Sequence, residues 1–386
     1  RHLGVFTEVL HRIKSDYVEE PDLKSVTLGA INGLLQAIDP FASYLNAEQY
    51  KEYLKNRDAQ QGDVGVQLSW KYGYLGVVGT IPGSPAARAG LMTGDMVESI
   101  RGISTRDMPL AYAEMLLRGK PGSTVEISVL SLRQQEPRKL TLTREVLRFP
   151  PLKWSMLAGQ VGYLQVNHLV QGKAAEAAGA LRELLRQGAE RLVLDLRNCT
   201  VGSIEEGVAL ANLFLEKGLI TYVEGQRYSR QEFRAEPDRT VWRLPVVVIT
   251  NRATAGAAEV AAAALLDNKR AEIVGEPTYG NAAVRKAVNL QDGSAIILAV
   301  AKYYSPAGKA IQDTRVTPTV QVLESEPMPE SEEEAPAEPE RGPKPEEDRL
   351  LEKAIEVLTK GKAPATPTAW RLSSPQSSGQ ARPAKP

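Results

Sequence analysis

The chain has 386 residues, 42% of them hydrophobic, which is enough for the cores of two or three domains. Lys and Arg total 47, as do Asp and Glu, so no net charge attracts the chain to nucleic acid or to an anionic membrane. The single cysteine, Cys199, excludes an intrachain disulfide and a cysteine-based zinc site, and the three histidines are scattered. No apolar run reaches the roughly 18 residues of a membrane helix, so we expect no membrane span in this chain. The charge balance and the cysteine and histidine counts further lead us to expect no metal, no cofactor and no nucleic-acid partner.

Residues 1–61 are predicted to form a helical N-terminal region. The stretches LGVFTEVLHRI and SVTLGAINGLLQAI repeat apolar residues three or four positions apart, which is typical of amphipathic helices. Pro40, in the stretch DPFASYL, does not fit the interior of a helix, so we expect the second helix to end before it.

A different pattern covers residues 62–147, where short strand-like runs alternate with turns that contain Gly and Pro. Runs such as YLGVVGTI and TVEISVLSL have the composition of strands, and PLAYAEMLLRG predicts one short helix among them. We therefore predict a small inserted α+β domain.

Strands and helices alternate over residues 148–322. VGYLQV, RLVLDLRN and LPVVVITN are nearly continuous apolar strands, and helices are predicted after them at about 173–187, 204–216 and 255–267. Apolar strands of this kind are buried on both faces of a mostly parallel sheet, so we predict an α/β core.

Three segments follow the core. Residues 323–347 are acidic and rich in proline, which predicts a disordered linker, either an exposed spacer or a site where a partner docks. Residues 348–361 place apolar residues on one face of a helix that must dock on another part of the protein. Residues 362–386 return to Pro, Ser, Ala and Lys and are predicted to form a disordered tail.

The first 322 residues contain a series of short motifs, in this order: DPFASYL, GSPAARAGLMTGDMVESIRG, LLRGKPGSTVEI, LDLRN, NRATAGAAE, GEPTYG, DGSAI and YYSPAGKAI. In this order and spacing they resemble the motifs of the C-terminal processing peptidases, also called tail-specific proteases. The resemblance implies a helical N-terminal part, an embedded PDZ domain and a crotonase-like α/β core.

Active members of that family use a Ser–Lys dyad, and the resemblance implies where its members would lie. Gly256, in the stretch TAGAAE, stands at the position of the serine nucleophile. Asn281 stands at the position of the lysine base, and Arg285 at that of a supporting glutamine. Glycine has no hydroxyl with which to attack a carbonyl, and asparagine accepts no proton near neutral pH. The chain therefore looks like a catalytically degenerate member.

The resemblance also implies which backbone N–H groups would stabilise the oxyanion. They belong to Val201, Gly202 and Ala257, and Val201 stands where the family has a glycine. Because a β-branched residue resists the positive φ that glycine tolerates, we expect the Val201 N–H to be misdirected.

Other interpretations of the same residues remain open. TAGAAEVAAAALL is also consistent with an ordinary buried helix, although that would not explain the family spacing of Glu259. A relocated dyad would use Thr254 and Lys286, but a shift of two residues turns a side chain to another face. Ser203, beside the oxyanion turn, is a weaker candidate nucleophile.

Asp63, Val64, Gly65 and Val66 correspond to the loop with which a PDZ domain captures a peptide carboxylate. Asp63 replaces the usual glycine, and its carboxylate would repel a peptide terminus if it pointed inward. Arg118 corresponds to an arginine that, in family members, couples the peptide-loaded PDZ domain to the protease core. The alternative for Arg118 is a solvated side chain at the end of a helix.

The resulting hypothesis is a pseudo-peptidase that binds unfolded or C-terminal peptide segments through its PDZ domain and cleft without hydrolysis. The alternatives are an active serine endopeptidase with a relocated nucleophile and a scaffold that binds no peptide. DPFASYL is either part of a homodimer contact in the N-terminal region or a local helix stop. The resemblance implies an extracytoplasmic location, in a bacterial periplasm or envelope. The chain begins at Arg1, so we expect any targeting segment to precede it.

Overall fold

The computed structural model describes residues 2–56, 62–71, 73–106, 108–131, 136–323 and 348–360. The predicted tail and all but the first residue of the predicted linker lie outside these ranges. Within them, no helix has both the length and the apolar character needed to cross a membrane.

The described chain begins with two helices. α1 (His2–Asp16) exposes apolar side chains, among them Leu3, which is 83% exposed. α2 (Leu23–Ile38) begins at Asp22, whose carboxylate accepts two backbone N–H groups of the first turn. It ends two residues before Pro40, as the proline predicts. A short strand and a third helix follow: β1 (Ser43–Leu45) and α3 (Ala47–Asn56).

An antiparallel sheet with two short helices comes next. Its elements are β2 (Val66–Lys71), β3 (Tyr74–Thr80), α4 (Pro85–Arg88), β4 (Met96–Ile100), β5 (Ile103–Ser104), α5 (Leu110–Leu117), β6 (Thr124–Leu130) and β7 (Arg138–Thr143). The strand order is β2-β3-β4-β6-β7, with β5 beside β4, so β2 lies at an edge of the sheet. α5 packs beside that edge and shares a hydrophobic core with the sheet.

Most of the remaining elements form an α/β arrangement. They are β8 (Lys153–Leu157), β9 (Val161–Gln165), α6 (Lys173–Arg186), β10 (Arg191–Asp195), α7 (Ile204–Asn212), β11 (Leu219–Gly225), β12 (Tyr228–Arg234), β13 (Val246–Thr250), α8 (Ala257–Asp267), β14 (Glu272–Gly275), β15 (Ala283–Asn289), β16 (Ala295–Tyr304), α9 (Ile311–Thr314), β17 (Val320–Gln321) and α10 (Arg349–Lys360).

These strands form two sheets. One has the order β17-β14-β13-β10-β9-β8 and is parallel apart from β8, while the other is antiparallel, with β1-β16-β11-β12 in order and β15 beside β16. Helices α6, α7 and α8 pack on one face of the parallel sheet, and α10 packs on the other. Helices therefore cover both faces, as the continuous apolar strands predict.

One predicted boundary is wrong. α7 ends at Asn212 rather than at residue 216, because the Asn212 side chain binds backbone outside the helix. Its amide donates to the carbonyls of Leu215 and Glu236, and its oxygen accepts the Glu236 N–H. These bonds stabilise a non-helical connection that the hydrophobic pattern does not reveal.

Arg197, just after β10, holds α10 on the sheet. Its guanidinium donates two hydrogen bonds of 2.7 and 2.9 Å to Asp348, at the start of α10, and others to the buried Asp195. These carboxylates raise the pKa of Arg197 above its ordinary value, although burial opposes the rise. The motif LDLRN thus links the centre of the sheet to the C-terminal helix.

Candidate functional site

The candidate site lies where the neighbouring parallel strands β10 and β13 end. Ligands of α/β sheets commonly bind at the carboxyl ends of the strands. Here the turn after β10 (196–203) and the turn before α8 (251–256) are joined by hydrogen bonds from Thr254 Oγ1 to the Leu196 carbonyl, from the Ala255 N–H to the Cys199 carbonyl, and between Asn198 and Asn251. The two turns therefore form one connected unit of backbone.

Gly256, at the start of α8, has φ 59° and ψ −114°, a conformation that glycine tolerates and that residues with a Cβ rarely adopt. A sharp turn between strand and helix carries the nucleophile in several hydrolases, where a residue with a side chain is held in such a conformation under strain. A Cβ added to Gly256 would lie 3.4 Å from the carbonyl oxygen of Asn281. The positions of nucleophile and base are therefore neighbours.

Glu259 connects these two positions. One oxygen of its buried carboxylate accepts the N–H of Gly256 at 2.9 Å and that of Asn281 at 2.7 Å. The other accepts the Gly280 N–H at 2.7 Å and a short hydrogen bond from the Thr278 hydroxyl. Burial raises the pKa of Glu259, and these four bonds oppose the rise because they favour the charged form.

Glu259 was not predicted as a site residue. The sequence contained a signal for it, since a glutamate three residues after a helix start typically accepts the N–H of the capping residue. Its bonds to Thr278, Gly280 and Asn281 join segments about twenty positions apart, which no local pattern reveals.

Asn281 and Arg285 are in direct contact. The guanidinium of Arg285 donates to Asn281 Oδ1 at 2.9 Å and to Gln312 Oε1 at 2.9 Å. It also donates two hydrogen bonds of 3.3 Å to the buried carboxylate of Asp39. The residues at the positions of the family's lysine and glutamine are thus tied to each other and to the end of α2.

Val201, Gly202 and Ala257 lie around the same turn. The Val201 carbonyl accepts the Leu169 N–H at 2.7 Å, and a Cβ at Gly202 would lie 2.5 Å from the Leu169 carbonyl oxygen, so glycine is required there. Among the described non-glycine residues, the one with a positive φ in this turn is Asn198, not Val201. Ala257 is the first residue of α8, where helix geometry leaves the N–H without an intrahelical acceptor.

Comparison with known proteins agrees with this geometry. The model of peptidase family S41 matches residues 160–322, and a PDZ domain model matches residues 76–131. The carboxy-terminal processing protease CtpA of Bacillus subtilis is 33% identical over 311 residues, which cover 80% of this chain and 66% of that protein. A carboxyl-terminal-processing protease of Synechocystis is 32% identical over 314 residues, covering 79% of this chain and 73% of that protein.

The chain belongs to the C-terminal processing peptidases of family S41. The solved structure of the photosystem II D1 C-terminal processing protease is similar, with a TM-score of 0.66 and 27% identity over 83% of this chain and 92% of that one. Membership of this family, which the motifs predicted, is therefore confirmed. These three relatives are named proteases.

The substitute nucleophiles have other roles in this S41 chain. Thr254 is fully buried; its hydroxyl donates to the Leu196 carbonyl at 2.9 Å and accepts the Asn251 N–H at 3.0 Å. Lys286 is exposed, and its ammonium lies 5.5 Å from the centre of the Tyr228 ring. Ser203 caps α7 by accepting the Glu206 N–H. Cys199 is buried, and burial raises its pKa, so a thiolate nucleophile is disfavoured there.

The PDZ domain packs directly on the candidate site. A Cβ on Gly79 of β3 would collide with the side chain of Thr200, in the turn after β10. Ser69 of β2 and Tyr279 share a short hydrogen bond between their hydroxyls, and Ala255 packs in the hydrophobic core of the PDZ domain. The turns around the dyad positions therefore contact the PDZ domain, which carries the predicted peptide-binding residues.

The second group of predicted residues lies on the PDZ domain itself. Both carboxylate oxygens of Asp63 are hydrogen-bonded: Oδ1 accepts the Gly65 N–H at 2.8 Å, and Oδ2 accepts a 3.1 Å hydrogen bond from Arg118 Nε. Val64 is fully buried, and Val66 begins β2. The Asp63 carboxylate is therefore already bonded to one N–H group of the loop and to Arg118.

Proposed function

We propose that this protein is a pseudo-peptidase that binds unfolded or C-terminal peptide segments through its PDZ domain and cleft and does not hydrolyse them. One observation carries the proposal: where the dyad would lie, Gly256 faces Asn281, and Asn281 is bonded to Arg285. A serine hydrolase needs a hydroxyl or thiol to attack and a base to accept its proton. Gly256 has neither group, and the Asn281 amide does not titrate near neutral pH.

The peptide-binding half of the proposal is supported by the PDZ architecture. β2 lies at an edge of its sheet with α5 beside it, and PDZ domains bind an extended peptide at such an edge. The strand–turn–helix frame of the S41 core persists around Gly256, with Glu259 bonded to both dyad positions. A frame that keeps its shape without its reactive groups is suited to binding.

The test uses a fluorescent twelve-residue unstructured peptide with a free apolar C-terminus, and its C-terminal amide as the matched control. Anisotropy reports binding, and mass spectrometry after overnight incubation reports cleavage. We expect saturable binding of the free acid, weaker binding of the amide, no cleavage, and no labelling by a serine-directed fluorophosphonate. Cleavage that scales with the protein through purification and disappears in Thr254→Val would contradict the proposal and favour the relocated nucleophile.

Three further features belong to the proposal. We assign the core to the crotonase-like group and the N-terminal helices to a separate region that mediates homodimerisation. The exposed apolar residues of α1 support dimerisation, since Leu3, Val5 and Val9 are each at least half exposed. We place the protein outside the bacterial cytoplasm, in the periplasm or envelope, which rests on the family alone.

A further inference from the structure

The edge of β2 is already engaged by a segment of the same chain. We define the internal segment as residues 39–43, which connects α2 to β1. The Pro40 carbonyl accepts the Trp70 N–H of β2 at 2.7 Å. A peptide added to a PDZ sheet uses main-chain bonds of this kind. The Pro40 carbonyl thus takes a donor that an added strand would use.

The side chains of the internal segment contact both walls of the groove. Phe41 is 8% exposed and packs in the same hydrophobic core as Leu68 of β2 and Leu117 of α5. Ser43 Oγ accepts the Ala111 N–H in the first turn of α5 at 3.0 Å. An apolar side chain between β2 and α5 is what a PDZ ligand supplies, so Phe41 occupies space that a bound peptide would need.

The carboxylate end of the groove is engaged as well. In the loop that would receive a peptide terminus, the Asp63 carboxylate already accepts the Gly65 N–H and a hydrogen bond from Arg118. An incoming carboxylate would meet a like charge and donors that are already bonded. Both ends of the groove therefore hold groups of this chain.

Arg285 connects the internal segment to the dyad region. Its guanidinium donates to Asp39 at 3.3 Å and lies 4.3 Å from the centre of the Phe41 ring, while a third contact reaches Asn281. Because an arginine above an aromatic ring and beside a carboxylate stabilises both, Arg285 fixes the segment at two residues, Asp39 and Phe41.

We propose that residues 39–43 are an internal ligand of the PDZ groove, held by Arg285 and completed at the carboxylate end by Asp63. An external peptide with a free apolar C-terminus binds only when this internal ligand leaves. The inference rests on the proposed function and adds its regulation: the arginine at the position of the dyad's supporting glutamine controls access to the PDZ domain.

The expected effect follows from population arithmetic. If the groove is open in only a small fraction of molecules, the apparent dissociation constant exceeds the intrinsic one by the inverse of that fraction. Removing the contacts of Arg285 or the Phe41 ring should raise the open fraction, so we expect peptide binding to become about tenfold tighter.

The experiment compares Arg285→Gln and Phe41→Ala with the unaltered protein, using anisotropy of the fluorescent free-acid peptide. Asp39 keeps the Gln312 amide and the N–H groups of Phe41 and Ala299 as donors in Arg285→Gln, so that variant should fold. Arg230→Gln is the matched control. Like Arg285, Arg230 lies over an aromatic ring, here that of Tyr222 at 3.7 Å from its centre, but on a strand outside the PDZ domain. It should leave the affinity unchanged.

A second measurement reads the internal ligand without any peptide. Hydrogen exchange at the Trp70 amide should be slow in the unaltered protein and faster in Arg285→Gln. Equal affinity in all variants together with unchanged Trp70 exchange would overturn the inference while leaving the proposed function intact. Binding by no folded variant, even with faster Trp70 exchange, would instead contradict the proposed function and this regulation with it.

Discussion

Two parts of one site, the buried Glu259 and the pair Asn281 and Arg285, differ in how closely they follow the family motif. Glu259 accepts four hydrogen bonds that hold the turn of α8 against residues 278–281, whereas the proposed function has Asn281 and Arg285 in place of the family's lysine base and supporting glutamine. Loss of Glu259 would leave buried N–H groups unpaired, which costs stability in any member of the family. Loss of a reactive serine or lysine costs only activity. Under the proposed function, selection for folding would therefore preserve Glu259 after selection for catalysis had ended.

The largest effect is expected at Glu259. In Glu259→Gln the side-chain NH2 must face either the N–H groups of Gly256 and Asn281 or the Gly280 N–H and the Thr278 hydroxyl. Donor then meets donor in a buried site, so we expect a loss of about 3 kcal/mol in the free energy of unfolding, measured with urea. Glu190→Gln, the same change on the surface, is the control and should be neutral. A stable Glu259→Gln protein would show that the comparison is wrong.

A smaller effect is expected at Gly256. Gly256→Ser and Gly256→Ala both place a side chain at φ 59°, so each should destabilise the protein by roughly 1–2 kcal/mol. Space does not limit them, because the added Cβ meets the Asn281 carbonyl oxygen at 3.4 Å. Gly179→Ser, in the exposed middle of α6, is the control and should be neutral or slightly stabilising. Thermal unfolding that is unaltered in both Gly256 variants would show that the turn relaxes.

The smallest effect is a pH dependence from Glu114 on α5. Burial raises its pKa from 4.5 to about 6, against the opposing charge of Arg118. Below pH 4.5 the carboxyl is protonated in both states, so its contribution to stability is then fully present. As pH rises through 6, the folded protein must bury the charge, and stability falls by at most about 2 kcal/mol.

Glu114→Gln tests this sign, because it removes the titrating group and keeps the shape. The variant should gain stability relative to the unaltered protein between pH 5 and pH 7 and match it near pH 4, as measured by urea unfolding at each pH. A difference that is constant across pH would mean that Glu114 ionises freely in the folded state.

Sequence patterns predicted the family, the alternating strands and the residues at the dyad positions, because motifs and hydrophobic periodicity are local. They did not predict that Arg285 reaches Asp39, or that Phe41 packs in the PDZ core, since these contacts join residues far apart in the chain. The bonds that Asp63 makes to the Gly65 N–H and to Arg118 were not predicted either, because they depend on the local backbone and on a residue 55 positions away.

The central claim is that the site keeps its frame and lacks only its reactive groups. The direct test is a variant with Gly256→Ser, Asn281→Lys, Arg285→Gln and Val201→Gly. Arg285 must be included because its guanidinium would otherwise lie beside the new ammonium, as it now lies 2.9 Å from Asn281 Oδ1. The matched control carries Gly256→Ala in place of Gly256→Ser.

The measurement is cleavage of the unstructured free-acid peptide by mass spectrometry, with fluorophosphonate labelling alongside it. The account predicts cleavage and labelling by the variant with Gly256→Ser, and neither by its alanine control or the unaltered protein. Cleavage by the unaltered protein, or a folded Gly256→Ser variant that neither cleaves nor reacts, would contradict it.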